Sequence, residues 1–147
     1  MFTNKNDILT GRVPTVFPAG CEIVAQRGAV ALVAADLDAN DAGSVVLLPA
    51  GCVPVAVMYD SDDLDTNGTP TITASIGLMN AGETDLDTVW ASGITASRDG
   101  TAAHLVSTNM IRTAATQAHR KVGVKFTAAA ATKAAGTVGL TLFYRAA

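Results

Sequence analysis

Between Leu48 and Leu78 two runs of β-branched and small residues flank an acidic, turn-rich stretch, and no other part of the chain narrows the choice of fold so far. Val53, Val55, Val57 and Tyr59 recur at the two-residue period of a strand, placing them on one face. In the second run Ile72, Ala74 and Ile76 alternate with Thr71, Thr73 and Ser75. Between the runs lies Asp60-Ser-Asp-Asp-Leu-Asp-Thr-Asn-Gly68, where Asn67-Gly68 supplies turn chemistry because glycine adopts positive φ without a Cβ clash. The stretch predicts strand, acidic turn and strand, paired as a hairpin.

The same grammar repeats along the chain. Residues 1–16 are polar and then broken by Pro14, which predicts an extended N-terminal arm with little structure of its own, ahead of a single domain over 17–147. Strands are expected at about 22–27, 29–35, 44–48, 53–59 and 71–78, with Gly28 and the 36–43 loop as breaks. Residues 79–103 read as a long excursion around Trp90 with one short strand. From Thr108 to Gln117 the spacing of Met110, Ile111, Ala114 and Ala115 fits one short helix capped by Thr108 or Asn109. Two last strands, about 120–128 and 137–145, flank Ala129–Gly136, which reads as a hairpin connection. Eight or so short strands without βαβ alternation predict an all-β, antiparallel β-sandwich of jelly-roll type.

Composition narrows the function. A chain of 147 residues is long enough to bury roughly 70% of its unfolded surface, so no disulfide is needed for folding. Apolar residues make up 49% but aromatics only 5%, and charged residues 16%, which points to sheets packed through Ala, Val, Leu and Ile. A mean hydropathy of +0.32 predicts apolar surface buried against other subunits. The net charge of −3, with His119-Arg120-Lys121 the one basic cluster, argues against nucleic-acid binding. No apolar run approaches the roughly 20 residues that span a bilayer, and the N-terminus leads into no signal-peptide core, so no membrane partner is expected.

Phe17-Pro-Ala-Gly-Cys-Glu-Ile-Val24 recurs as Leu48-Pro-Ala-Gly-Cys-Val-Pro-Val55, each copy opening a strand. Both Pro-Ala-Gly units are expected at sheet ends, because proline presets a turn and denies the ladder a donor. Cys21 and Cys52 hold equivalent places in the copies. With no C-x-x-C and no nearby histidine pair they read as small buried apolar residues, a disulfide being the alternative in an oxidising setting. Asp63-Leu-Asp-Thr-Asn-Gly68 matches the opening of a calcium loop, but Ala74 stands where a bidentate glutamate belongs. It reads as an acidic, solvated turn held by Asx hydrogen bonds, the alternative being weak divalent binding by Asp60, Asp62, Asp63 and Asp65. With no G-x-S-x-G and only His104 and His119 in unrelated contexts, no catalytic, metal or cofactor-binding residue is assigned and no enzyme is expected. Trp90 reads as a packing or interface anchor; stacking on a sugar is the alternative.

In their order and spacing, Leu48-Pro-Ala-Gly-Cys-Val-Pro-Val55, Asp60-Ser-Asp-Asp-Leu-Asp65, Ile76-Gly-Leu-Met-Asn80, Val122-Gly-Val-Lys-Phe-Thr127 and Ala135-Gly-Thr-Val-Gly-Leu-Thr-Leu-Phe-Tyr-Arg145 resemble the small jelly-roll or β-sandwich head decoration (capsid cement) proteins of tailed bacteriophages. The resemblance spans most of residues 17–145. It implies a non-enzymatic virion protein on the capsid exterior, assembled in the host cytoplasm. It also implies a homotrimer that stabilises the head by bridging subunits of the major capsid protein. A head-fibre base or tail accessory protein is the alternative within a phage. A carbohydrate-binding module using Trp90 and the acidic turn is the alternative outside one.

Overall fold

The β-branched runs form eight antiparallel strands in two four-stranded sheets. The computed structural model describes residues Met1–Ala147. The strands are β1 (Val24–Leu32), β2 (Ala42–Leu48), β3 (Cys52–Ser61), β4 (Thr73–Met79), β5 (Leu86–Ile94), β6 (Ala102–Leu105), β7 (Arg120–Ala128) and β8 (Gly136–Ala146), and one helical turn, α1 (Thr108–Ile111), precedes β7. One sheet has the order β1-β8-β3-β6, the other β2-β7-β4-β5. Strands thus pair first with last and inward from there: β1 with β8, β2 with β7, β3 with β6, β4 with β5. That is an antiparallel ribbon rolled into two sheets, the jelly roll expected from the sequence.

The roll explains why the local pairing expected between residues 53–59 and 71–78 does not form. β3 and β4 lie in different sheets, so residues 62–72 cross from one layer to the other. Residues 129–135 make the same crossing between β7 and β8, and are likewise no hairpin. Only β4 and β5 are consecutive strands that pair.

Between the sheets the apolar rows interlock. Val122, Val124 and Phe126 of β7 meet Leu140, Leu142 and Tyr144 of β8, with Tyr59, Ile72, Ile76 and Leu64, all fully buried. Each large aliphatic side chain so buried contributes about 1.5–3 kcal/mol, so a core with few aromatic rings is adequate.

Several expectations change in detail. Residues 22–27 and 29–35 are not two strands but the single β1, which runs through Gly28. Gly28 is there for close approach, since a Cβ would collide with the Val45 backbone carbonyl of β2. A bulge between Pro54 and Ala56 shifts the phase of β3, so Val57 and Tyr59 are buried while Val53 and Val55 are only half-buried. The 79–103 stretch holds the nine-residue β5 and the start of β6, and three register shifts against β4 break the alternation that would have revealed β5. The helix stops after Ile111 and is capped by Ser107, whose hydroxyl accepts from the Met110 N–H at 3.2 Å. A helix so short has little stability of its own, and it closes on a tight bond from the Thr113 N–H to the Met110 carbonyl at 3.0 Å.

The echo is not a structural repeat. Leu48 is fully buried at the end of β2, whereas Phe17 is 56% exposed in the loop before β1. Cys52 is buried and Cys21 exposed, and both are free thiols, so the pair is neither a disulfide nor two buried residues.

Candidate assembly surface

The jelly roll sorts its loops into two ends. At one end lie loops 33–41, 62–72, 95–101 and 129–135; at the other lie 7–23, 49–51, 80–85 and 106–119.

The first end is acidic and self-satisfied. It carries Asp36, Asp38, Asp41, Asp62, Asp63, Asp65 and Asp99 against Arg98 and Lys133, and all of these carboxylates except Asp99 accept hydrogen bonds from within the chain. Asp65 is its organising residue. Only 1% exposed, it accepts backbone N–H bonds from Thr71 (2.7 Å), Ile72 (3.1 Å), Ala131 (2.9 Å) and Thr132 (2.8 Å). Burial pushes its carboxyl up, but the four amides together outweigh that and hold it well below the usual carboxylate range.

The acidic turn is therefore not a solvated loop at its centre. Asp65 faces inward and ties the two sheet crossings together, aided by a β-bridge to Lys133. Asp62 accepts from the Thr137 N–H at 2.7 Å, and Asp60 is paired with Arg27 of β1 across Gly139, where a Cβ would meet both side chains. The Asx bonds do form, Asp63 to the Asp65 N–H and Asn67 to the Thr69 N–H. No group of three or more His, Cys, Asp or Glu side chains is placed to hold a metal ion.

Residues 1–6 run from this end to the other along the seam between the edge strands β1 and β2. The Phe2 N–H donates to the Ala42 carbonyl (2.8 Å), Thr3 to Asp36, the Asn4 side chain to Ala31 O (2.8 Å) and the Asn6 side chain to Val45 O (2.6 Å). The Phe2 ring occupies the space above Gly43 and lies 5.7 Å from Phe126. Lys5 ends the run on Glu83, at 2.9 Å.

Glu83 was not visible as a special position in the sequence. It is 6% exposed, has a φ of +56°, and receives Lys5, Lys121 and the Ser44 hydroxyl. Burial raises its carboxyl, yet those three donors bring it below its ordinary value. Its partners lie 78, 38 and 39 residues away, so no local spacing could have disclosed it.

The second end is different in kind. Among the exposed large apolar side chains, Val13, Val16, Phe17, Ile23, Val106 and Ile111 sit in its loops, against Met1 and Val33 at the acidic end. The 7–23 loop is held over it by the Tyr144 hydroxyl, which donates to Val16 O and is pushed up to about 12 by burial, and by contact of Phe17 with the His119 ring at 5.7 Å. His119 Nδ1 accepts from the Ala50 N–H at 3.1 Å.

Beside it Arg120 is in phase with Val122, Val124 and Phe126, the inward row of β7. Its Nε and Nη2 are buried and find no acceptor in the chain, and desolvation lowers its pKa. The sequence shows the basic triplet; the phase of β7 is the signal that its middle member turns inward. His104, by contrast, is exposed on β6 in the other sheet.

Trp90, 3% exposed, donates from Nε1 to the Thr113 hydroxyl at 3.1 Å and belongs to the core, so it offers no face for a sugar. No helix is long and apolar enough to cross a membrane.

No protein-family model and no curated protein sequence matches the chain. Solved structures do. A chain from the capsid of Ralstonia phage GP4 superimposes with a TM-score of 0.81 and 32% identity, over 96% of this chain and 96% of that one. A chain from the Cyanophage Pam1 capsid asymmetric unit gives 0.71 and 27%, over 100% of both. A chain from the acidic stable capsid structure of Helicobacter pylori bacteriophage KHP30 shares the fold alone, at 0.53 and 13%, over 84% of this chain and 91% of that one.

Proposed function

Because this chain belongs to the phage capsid proteins, we propose that it is a non-enzymatic decoration, or cement, protein that binds the outside of a phage head and bridges subunits of the major capsid protein. The observation that carries this reading is end-to-end likeness, at 32% identity, to a chain of a phage capsid. The distribution of surface chemistry supports it. At one end every carboxylate but Asp99 is hydrogen-bonded within the chain, and the other carries most of the exposed apolar loop side chains and the unpaired nitrogens of Arg120, so the second end faces the shell. Apolar area gathered in one place is what an interface needs, and several copies acting on one lattice site multiply modest affinities.

The copies act as a homotrimer. Light scattering then gives about three times the chain mass of 14.9 kDa, and a monomer at working concentration rules the trimer out.

Purified chain added to shells that lack it tests the function. Binding to the shells, with a rise in the temperature at which they open, is the expected result. Failure to bind, or binding that leaves shell stability unchanged, contradicts the reading.

A further inference from the structure

We propose that the hollow around Arg120 is a seat for one carboxylate, an Asp or Glu side chain presented by a neighbouring shell subunit, and that this pair sets the specificity of the contact. The proposal rests on the capsid-binding reading above.

Arg120 begins β7, and the strand's alternation brings its stem inward at the end of the core. The two nitrogens left without acceptors, Nε and Nη2, lie along one edge of the guanidinium, the edge that takes both oxygens of a carboxylate in parallel hydrogen bonds. Buried donors without partners are costly, so a free chain that keeps them is incomplete at this point.

Arg120 also walls two adjoining depressions, of about 410 and 390 Å³, that share Leu78 and Thr88. Both depressions therefore lead to this one side chain. His119 and Lys121 flank one depression and Arg112 the other, and the sole acidic side chain lining them is Asp87, which makes no ion pair with Arg120. The exposed Phe17 ring packs on His119 at the rim, so an apolar contact adjoins the charged one.

The chemistry favours a protein carboxylate over a nucleic acid. Leu78, Met79 and Ala81 give the larger hollow apolar walls, and the chain has a net charge of −3 with no basic stripe to follow a phosphate backbone. A single side-on fork suits a planar two-oxygen acceptor.

The test compares wild type, Arg120→Met and Arg120→Lys for binding to shells that lack the chain, together with their melting temperatures as free proteins. Arg120→Met removes the unpaired donors at similar volume, so it melts no lower than wild type and binds shells at least tenfold more weakly. Arg120→Lys keeps the charge but not the fork and also binds more weakly, which covers the case in which the methionine variant fails to fold.

Both variants binding within twofold of wild type overturns the proposal and leaves the functional reading standing. Wild type failing to bind overturns the functional reading, and the seat with it. Loss of self-association in Arg120→Met, seen by light scattering with shell affinity per subunit intact, assigns the seat to a second copy and overturns the shell carboxylate. So does inorganic phosphate or a duplex oligonucleotide that raises the melting temperature of wild type but not of Arg120→Met.

Discussion

Replacing Asp65 with Asn tests the organising residue of the acidic end by removing one charge from a point where four backbone N–H groups converge. The asparagine side chain keeps one carbonyl oxygen, enough for about two of the four donors, and turns an NH₂ toward the rest. A buried donor left unpaired costs about 1–3 kcal/mol, so Asp65→Asn loses about 2–5 kcal/mol. For a domain of this size that lowers the melting temperature by about 5–15 °C.

The loss also depends on pH. Asp65 in the folded chain holds its proton less tightly than an ordinary carboxyl, so below about pH 4 the unfolded chain binds more protons than the folded one. Its stabilisation is therefore complete above that pH and fades as the pH falls further. Glu83 and Asp85, also below their ordinary values, are present in both proteins and cancel in the difference. Urea unfolding of the two proteins from neutral pH down to about pH 2.5 gives a stability gap that is widest at neutral pH and narrows below about pH 4. A gap that stays constant across that range refutes the charged clasp.

Phe2→Ala empties the space over Gly43 and costs about 3 kcal/mol; hydrogen exchange at the Phe2 and Thr3 amides checks it, since both lose protection when residues 1–6 leave the seam. Trp90, the one tryptophan, emits as a buried indole that added glycans do not alter. Trp90→Ala lowers stability by about 3–5 kcal/mol, read by urea unfolding, and a stable variant that has merely lost sugar binding contradicts its core placement. Calcium or a chelator leaves the melting temperature of the free chain unchanged, because Asp65 is committed to amides and not to a cation site.

The strands were legible in the sequence because alternation is local. Val122, Val124 and Phe126, or Leu140, Leu142 and Tyr144, show their period within one window and are buried as that period requires. Their partners were not legible. The roll pairs Val24 with Tyr144 and Leu32 with Gly136, and no turn residue between β3 and β4 records that the chain is changing sheets. Gly28 illustrates the ambiguity, since a glycine that breaks a strand and one that admits a neighbouring carbonyl look alike in one dimension.

The same holds for charge. Asp65 belonged to a motif that suggested water or calcium, and its true partners, Ala131 and Thr132, come from a loop 66 and 67 residues on. Glu83 carried no motif at all. Arg120 stood in a visible basic cluster, but that it lacks an acceptor is a property of the folded surroundings.

The proposed function places the chain on the outer face of a phage shell, where it joins the shell's subunits. A cryo-electron microscopy reconstruction of the virion, at a resolution that traces this jelly roll, tests it most directly. The expected result is the fold on the capsid exterior, with the 7–23 loop and the Arg120 hollow against two or more major capsid subunits and the Asp65 loops toward solvent. Finding the chain inside the shell, confined to the tail or a head fibre, or touching a single subunit through its acidic end contradicts it.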